Sequence, residues 1–261
     1  MSDDRVATAP LEHRGARWKA RALAATLGVL CHSTFVLAVS SLAVGLYCGM
    51  ASGHGRARGL TAFGLNALLA VQFPLLHSFL LTRRGQGTLV RMFGREHGRD
   101  FAPTSYAWIA AVQILATFAL WSPSGIVWWR PQGAWLFASI AAYAAAWLFL
   151  LKALSDAGPG LQTGWIGWTA VWRGRRVQYP PMARTGLFSV CRQPIYLGFA
   201  MTLWTGPVWT PDRLLLALIW TSYCVFGPRR KEARYATLYG ESFREYRRGV
   251  PYMAILKRKA A

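Results

Sequence analysis

The chain is laid out as apolar blocks separated by basic segments that carry glycine and proline. Four blocks run without interruption, from Ala22 to Gly49, Leu60 to Leu81, Ser105 to Trp121 and Gly133 to Leu154. At about 1.5 Å per residue against a hydrocarbon core of about 30 Å, each can cross a bilayer as a helix. A fifth apolar region, Pro194 to Phe226, is split near Gly206, Pro207, Pro211 and Asp212. That punctuation marks a tight turn, so the region reads as a helical hairpin whose arms are each slightly short for a full crossing. The pattern predicts an all-α polytopic membrane protein of about six helices, four spans plus the C-terminal hairpin.

Two further stretches predict amphipathic helices on the cytoplasmic side. Leu161, Trp165, Trp168 and Trp172 recur at steps of four, three and four, the spacing of one helix face, and Arg173, Arg175 and Arg176 follow. This stretch reads as an interfacial helix, a membrane anchor that could also recognise substrate. From Arg229 to Arg248, Tyr235, Leu238, Tyr239, Phe243 and Tyr246 are interleaved with charges, and Gly240 divides the stretch into two short helices. No internal repeat is visible. Residues 1–21 read as a flexible basic cytoplasmic tail, and residues 22–261 as a single transmembrane domain.

Composition agrees: of 261 residues, 54% are hydrophobic, only 15% are charged, and 13 are tryptophan. The net charge of +20 brings nucleic acid to mind, but no base-reading module is present and the charge has a different distribution. All but four of the 30 Lys and Arg residues fall in the N-terminal tail, the 83–99 and 152–192 segments, and the tail after Phe226. Arg56, Arg58, Arg130 and Arg213 are the exceptions, so the loop bias puts both termini in the cytoplasm. Trp128, Trp129, Trp204 and Trp209 sit at the predicted outer ends, where indole rings favour the headgroup level. The first apolar stretch is too long for a signal-peptide core, which predicts no cleavage.

Candidate chemistry is sparse. Cys31, Cys48, Cys191 and Cys224 have no paired spacing and read as buried thiols. The five histidines, His13, His32, His54, His77 and His97, lack the spacing and carboxylate partners of a metal site, so no metal is expected. His32 and His77 lie inside predicted spans, where an ionisable group is either functional or bonded to a neighbouring helix. No Walker loop or Gly-x-Gly-x-x-Gly is present. The segment Arg192-Gln193-Pro194-Ile195-Tyr196-Leu197-Gly198 opens the hairpin. Pro194 suits a first helical turn, Arg192 beside a helix N-terminus can receive a carboxylate or phosphate, and Gly198 would let a flat ligand approach. Arg192 could equally snorkel to lipid headgroups. Glu232, the only acid between Arg229 and Arg234, either binds a cationic or hydroxyl group of a ligand or balances its neighbours.

Taken in order, Arg192-Gln193-Pro194-Ile195-Tyr196-Leu197-Gly198, Lys231-Glu232, Leu238-Tyr239-Gly240, Phe243, Tyr246 and Val250-Pro251 carry a family resemblance. They resemble the membrane-embedded methyltransferases that include isoprenylcysteine carboxyl methyltransferase, phospholipid methyltransferases and bacterial methanethiol S-methyltransferase. The shared pattern is Arg-His-Pro-x-Tyr-x-Gly, an apolar hairpin, Glu-Glu, a Leu-x-x-x-(Phe/Tyr)-Gly-like stretch, an aromatic pair and Val-Pro. Chain size, the His77-Ser78 pair and the Trp-rich segment leading into Arg184 to Phe188 resemble the methanethiol branch most. The resemblance implies S-adenosyl-L-methionine in a cytoplasm-facing cavity formed by residues 184–251, in a protein integral to the bacterial inner membrane. It implies cofactor contacts from Arg192, Pro194, Tyr196, Gly198, Glu232, Tyr239 and Tyr246, and catalytic roles for Arg192 and Gln193. A small-molecule or lipophilic methyl acceptor would approach from among the spans, with His77, Trp165 and Trp168 as substrate residues. Gln193 stands where the pattern has His, and Lys231 where it has the first Glu, which bears on catalysis more than on fold.

Transfer from a sulfonium methyl is helped by proximity, desolvation and an anionic acceptor, so a small thiol is the favoured substrate. Three other readings stay open. One is carboxyl or phospholipid methylation on the same fold. Another is a sterol-reductase-like oxidoreductase using NADPH, suggested by Tyr239-Gly240 and Val250-Pro251-Tyr252, and the last is a member without catalysis.

Overall fold

The computed structural model describes residues 11–253, with side chains from residue 17 onward except at Arg95. Ten α-helices carry the fold: α1 (Leu11–Tyr47), α2 (Gly59–Leu80), α3 (Arg83–Met92), α4 (Gly94–Leu120), α5 (Gly133–Asp156), α6 (Pro159–Gln162), α7 (Trp165–Trp172), α8 (Pro194–Thr205), α9 (Pro211–Tyr239) and α10 (Glu241–Gly249). Among the described residues the only β pairing is an isolated bridge between Trp129 and Trp209. The chain is an all-α polytopic membrane protein, with α1, α2, α4 and α5 each long and apolar enough to cross a bilayer. Their outward faces leave Leu60, Phe63 and Leu68 of α2 and Trp135, Phe137 and Leu148 of α5 exposed, which lipid tails would cover at no cost in hydration.

The hairpin of α8 and α9 reaches the membrane face where α1 ends and α2 begins. Thr210 Oγ1 donates to Gly49 O at 2.6 Å, and Trp209 N to Trp129 O at 2.9 Å. The hairpin tip therefore lies at the same face as the α1–α2 and α4–α5 connections. The 12 residues of α8 reach only about 18 Å along its axis. Its N-terminus therefore starts deep in the protein, and a recess is left beneath it.

Several boundaries differ from those read in the sequence. Residues 11–21 continue α1 as helix, because nothing in that stretch breaks it; the rest of the predicted tail lies outside the described residues. The basic 83–99 segment is also helical: Thr82 accepts from Gly85 N at 3.2 Å and starts α3, and α4 begins at Gly94. The second hairpin arm and the first of the two short helices are one rod, α9, of 29 residues. Pro228 does not stop it, since a proline removes a single N–H bond and α9 is held by packing along its length. Gly240, at φ +54°, does end it, and α10 follows as predicted.

The Trp-rich helix α7 is docked between α1 and α4 rather than simply laid on the surface. Gly28 of α1 lies so close to the Trp168 ring that a Cβ there would meet it at 2.7 Å. Thr104 of α4 caps α7 from outside, accepting from Trp168 N at 2.9 Å and donating to Gly164 O at 2.7 Å. Trp165 and Trp172 remain exposed at its surface.

Several polar groups inside the bundle are paired across helices. Pro74 of α2 lacks the N–H that would bond Ala70 O, and the Trp220 indole of α9 donates to that carbonyl at 2.8 Å. At the hairpin tip Asp212 accepts from Trp121 Nε1 at 3.0 Å and Ser124 N at 2.9 Å, while Asn66 exchanges two bonds with Ser122. Arg213, which the loop count treated as an outer-loop charge, is fully buried. Its guanidinium donates to Leu203 O at 3.0 Å, to Gly206 O, and to Val208 O at 2.9 Å, and lies 4.2 Å from the Trp209 ring. It satisfies the carbonyls that the end of α8 leaves free. Substituting Arg213→Leu would orphan those acceptors at a cost of about 3 kcal/mol. Thermal unfolding in detergent should show a clearly lowered midpoint.

Candidate functional site

A cavity of about 880 Å³ opens beneath α8, walled by α2, α4, α8, α9 and the 179–183 loop. Its polar end holds Arg192, Gln193, Lys231 and Tyr239, and its aromatic end holds His77, Tyr106, Tyr196, Phe199 and Tyr223. The charged lysine and arginine side chains among the described lining residues are Arg83, Arg192, Lys231 and Arg234, and no carboxylate accompanies them.

The motif that opens α8 is held by the chain that follows α10. Arg192 N donates to Pro251 O at 2.9 Å and Gln193 N to Tyr252 O at 3.2 Å, so Val250-Pro251-Tyr252 is a strap across the start of α8. Pro194 takes the first helical position, where its missing N–H is not needed. The Arg192 guanidinium then turns toward α9. Its Nε donates to Glu232 Oε1 at 2.9 Å and Nη2 to Oε2 at 3.4 Å, while Nη1 donates to Arg247 O at 3.0 Å and Val250 O at 2.5 Å. Of the five guanidinium N–H donors, one on Nη2 has no partner among the described residues. Gln193 Nε2 also donates to Glu232 Oε1, at 2.9 Å, and Gln193 Oε1 accepts from Lys231 Nζ at 3.4 Å.

Arg192 and Glu232 thus meet, with side chains only 9% and 11% exposed. The structure gives them different parts in the cavity: Arg192 lines it, whereas Glu232 lies behind the guanidinium with its oxygens engaged. Gln193, Tyr196, Tyr239, Tyr246 and His77 also line the cavity. Tyr246 is oriented by a 2.6 Å bond from its hydroxyl to Phe188 O, and burial raises the pKa of that hydroxyl. Pro194 is buried at the helix start and does not line it.

Gly198 points elsewhere. A Cβ at this position would meet Leu150 Cα at 2.9 Å and Phe149 Cδ1 at 3.0 Å, so the glycine permits close packing of α8 on α5. Trp165 and Trp168 turn toward His32 of α1, with Trp168 Nε1 donating to His32 Nε2 at 3.0 Å; neither reaches the cavity. Leu161 and Gln162, just before α7, do. Sequence reasoning missed Tyr106, Tyr223, Arg83 and Arg234. Each looks like an ordinary span or loop residue, and only helix packing brings them to one space.

Lys231 sits over the rings of Tyr235 and Phe188, at 5.4 and 5.9 Å. It lies on the part of α9 beyond the apolar region. Burial, then the nearby Arg234, pushes its ammonium down to about 8, with Glu232 opposing the shift.

These features define a class: a polytopic all-α membrane protein with a cation-lined, aromatic-floored cavity under a short re-entering helix. The chain is similar to curated methanethiol S-methyltransferases. It is 25% identical over 187 residues to methanethiol S-methyltransferase 1 of Bradyrhizobium diazoefficiens, covering 71% of this chain and 64% of that protein. It is 25% identical over 235 residues to the methanethiol S-methyltransferase of a Pseudomonas species, covering 87% and 88%. The Crocosphaera subtropica methanethiol S-methyltransferase is 23% identical over 243 residues, covering 87% and 89%. The chain therefore spans just under two thirds of the Bradyrhizobium relative and nearly nine tenths of the other two. No protein-family model matches the chain, and no solved structure does.

Two outcomes test the geometry. Gly198→Ala should lower thermal stability through the α5–α8 contact while leaving ligand affinity of the folded protein unchanged, as read by parallel melting and titration. For Lys231, the unfolded chain keeps the proton up to about 10.5 whereas the folded chain loses it near 8. The unfolded state binds more protons between these values, so stability rises with pH across that window. Lys231→Met should flatten that rise in melting curves recorded from pH 8 to 10.5.

Proposed function

We propose that this protein is an S-adenosylmethionine-dependent membrane methyltransferase acting on a small thiol, with both termini in the cytoplasm. The observation that carries this reading is the single cavity joining the motif residues Arg192, Gln193, Tyr239 and Tyr246 to the aromatic end around His77. The relatives described above, each named for methylation of methanethiol, support the choice of acceptor. They favour a thiol over the reductase alternative.

The residues suit the cofactor. Its carboxylate would face the free Nη2 donor of Arg192, with Lys231 and Arg234 nearby. Tyr235, Tyr239 and Phe243 offer faces on which a purine stacks, and the Tyr196 and Tyr223 rings offer faces to a sulfonium cation. When bound, S-adenosylmethionine supplies a methyl group on a positively charged sulfur. Glu232 acts at one remove, holding Arg192 and Gln193 in place. The aromatic walls exclude water, and the basic lining stabilises the anion that the acceptor thiol becomes on losing its proton.

Calorimetric titration of purified protein with S-adenosylmethionine, paired with headspace detection of dimethyl sulfide from methanethiol, tests the reading. Binding and product are expected, and Arg192→Ala should weaken cofactor affinity at least ~10-fold. Absence of cofactor binding at millimolar concentration would remove the proposal.

A further inference from the structure

We propose that His77 takes the proton of the thiol acceptor through its Nδ1, a ring nitrogen buried without a partner among the described residues beside the aromatic end of the cavity. This inference rests on the thiol-methylation reading and assigns one of its steps.

The geometry singles out this side chain. His77 stands near the end of α2, with its ring 4.9 Å from Phe73 and 4.7 Å from Tyr106, and with Tyr223 edge-on at 6.1 Å. Its Nε2 lies 2.6 Å from the Tyr106 hydroxyl, and that hydroxyl is 3.5 Å from the main-chain oxygen of His77. Its Nδ1 is buried without a hydrogen-bond partner among the described residues. A buried polar atom with no partner calls for an explanation; Gln113 Oε1, Trp147 Nε1 and Gln162 Oε1 are likewise without partners among the described residues, but of these four atoms only the imidazole nitrogen can take a proton at ordinary pH. If Nε2 carries the ring proton, it donates to Tyr106, the hydroxyl turns to the His77 carbonyl, and the Nδ1 lone pair is left as an acceptor.

No other group lining the cavity fits this role as well. Lys231 is held at the polar end by Gln193, Glu232 is enclosed by Arg192, and Tyr106 and Tyr223 are weaker bases than imidazole. The titratable groups facing the His77 ring are Tyr106 from α4 and Tyr223 from α9; Tyr196 from α8 stands behind Tyr223 at 6.2 Å. Arg83 and Arg234 line the same cavity.

The step balances. The thiol proton passes to Nδ1, and the sulfur electron pair forms the new bond to the methyl carbon. The bond from that carbon to the sulfonium breaks, its electron pair staying on the donor sulfur, which becomes a neutral thioether. The imidazolium later returns its proton to water. Tyr106 acts as a positioning residue, since it touches the ring and not the acceptor.

His77→Asn and Tyr106→Phe test the assignment, with methanethiol and the more acidic trifluoroethanethiol as acceptors. For methanethiol, His77→Asn should lower kcat about 100-fold with retention of labelled cofactor unchanged, and the loss should shrink for the acidic thiol. A readout independent of turnover uses protein without cofactor. On titration with trifluoroethanethiol below the thiol's own pKa, the native protein should develop thiolate absorbance in the ultraviolet, and His77→Asn should not. Tyr106→Phe removes the acceptor that stabilises the imidazolium, so the acid limb of the kcat profile should move to lower pH.

A His77→Asn rate within a few-fold of native for both thiols would overturn the assignment while leaving thiol methylation standing. An equal loss for both thiols accompanied by lost cofactor retention would also overturn it, by making His77 structural. Should His77→Asn not fold, an unmoved acid limb in Tyr106→Phe sinks the idea. If native protein binds cofactor yet methylates no thiol, both this inference and the reading beneath it fall.

Discussion

A carboxylate enclosed by a guanidinium and an amide is tolerable only when its oxygens are fully used, and Glu232 meets that condition. Two hydrogen bonds from Arg192 and one from Gln193 satisfy it. The consequences run outward. Because Arg192 also bonds Arg247 O and Val250 O, the same contact fixes the end of α10 and the strap that follows it. Because Arg192 and Gln193 precede α8, it fixes where the short helix begins. The recess under α8 lies beside this knot, which holds one of its walls in place.

At the far end the same logic appears with different residues. A chain surrounded by lipid has no water with which to satisfy stray carbonyls, so the tight turn between α8 and α9 must be closed internally. Arg213 closes it by donating to the carbonyls at the end of α8, and Asp212 joins the turn to Trp121 and Ser124. One end of the hairpin is thereby anchored by a buried arginine and the other by a buried ion pair. The aromatic side chains between them are left free to line a space instead of supporting the fold.

The sequence disclosed what depends on local pattern. Apolar length revealed the spans, Gly240 revealed the break before α10, and the family resemblance implied that Arg192 and Glu232 share one site. Long-range packing was less visible. Gly198 reads as a ligand-facing glycine until α5 is seen against it, and the Trp165 and Trp168 face reads as a substrate surface until α1 and α4 are seen to hold the helix. Asp212 looks like turn punctuation and Arg213 like a loop charge until the fold brings Trp121 and Ser124 to the one and the carbonyls at the end of α8 to the other. Tyr106 and Tyr223 carry no signal at all, since an aromatic residue in a span is unremarkable until a neighbouring helix supplies His77.

Gln193 and Lys231, the two departures from the methyltransferase pattern, prove to be one contact. They lie 38 positions apart and meet at 3.4 Å, so a change at either position alters the partner of the other. An amide at 193 can accept from an ammonium and donate to a carboxylate at once, forming a directed chain from Lys231 through Gln193 to Glu232. It has no proton to lose, so the chain keeps its sense at any pH at which the lysine is charged. The pattern's two glutamates and one arginine carry a net charge of −1 with a neutral histidine, whereas Lys231, Glu232 and Arg192 carry +1. The polar end of the cavity is therefore two charges more positive than the pattern would make it. A site of that sign holds a carboxylate or thiolate better and a free ammonium worse. On the proposed function, the two residues act as a matched change in the charge of the ligand favoured, with the hydrogen-bonded frame around Glu232 in place.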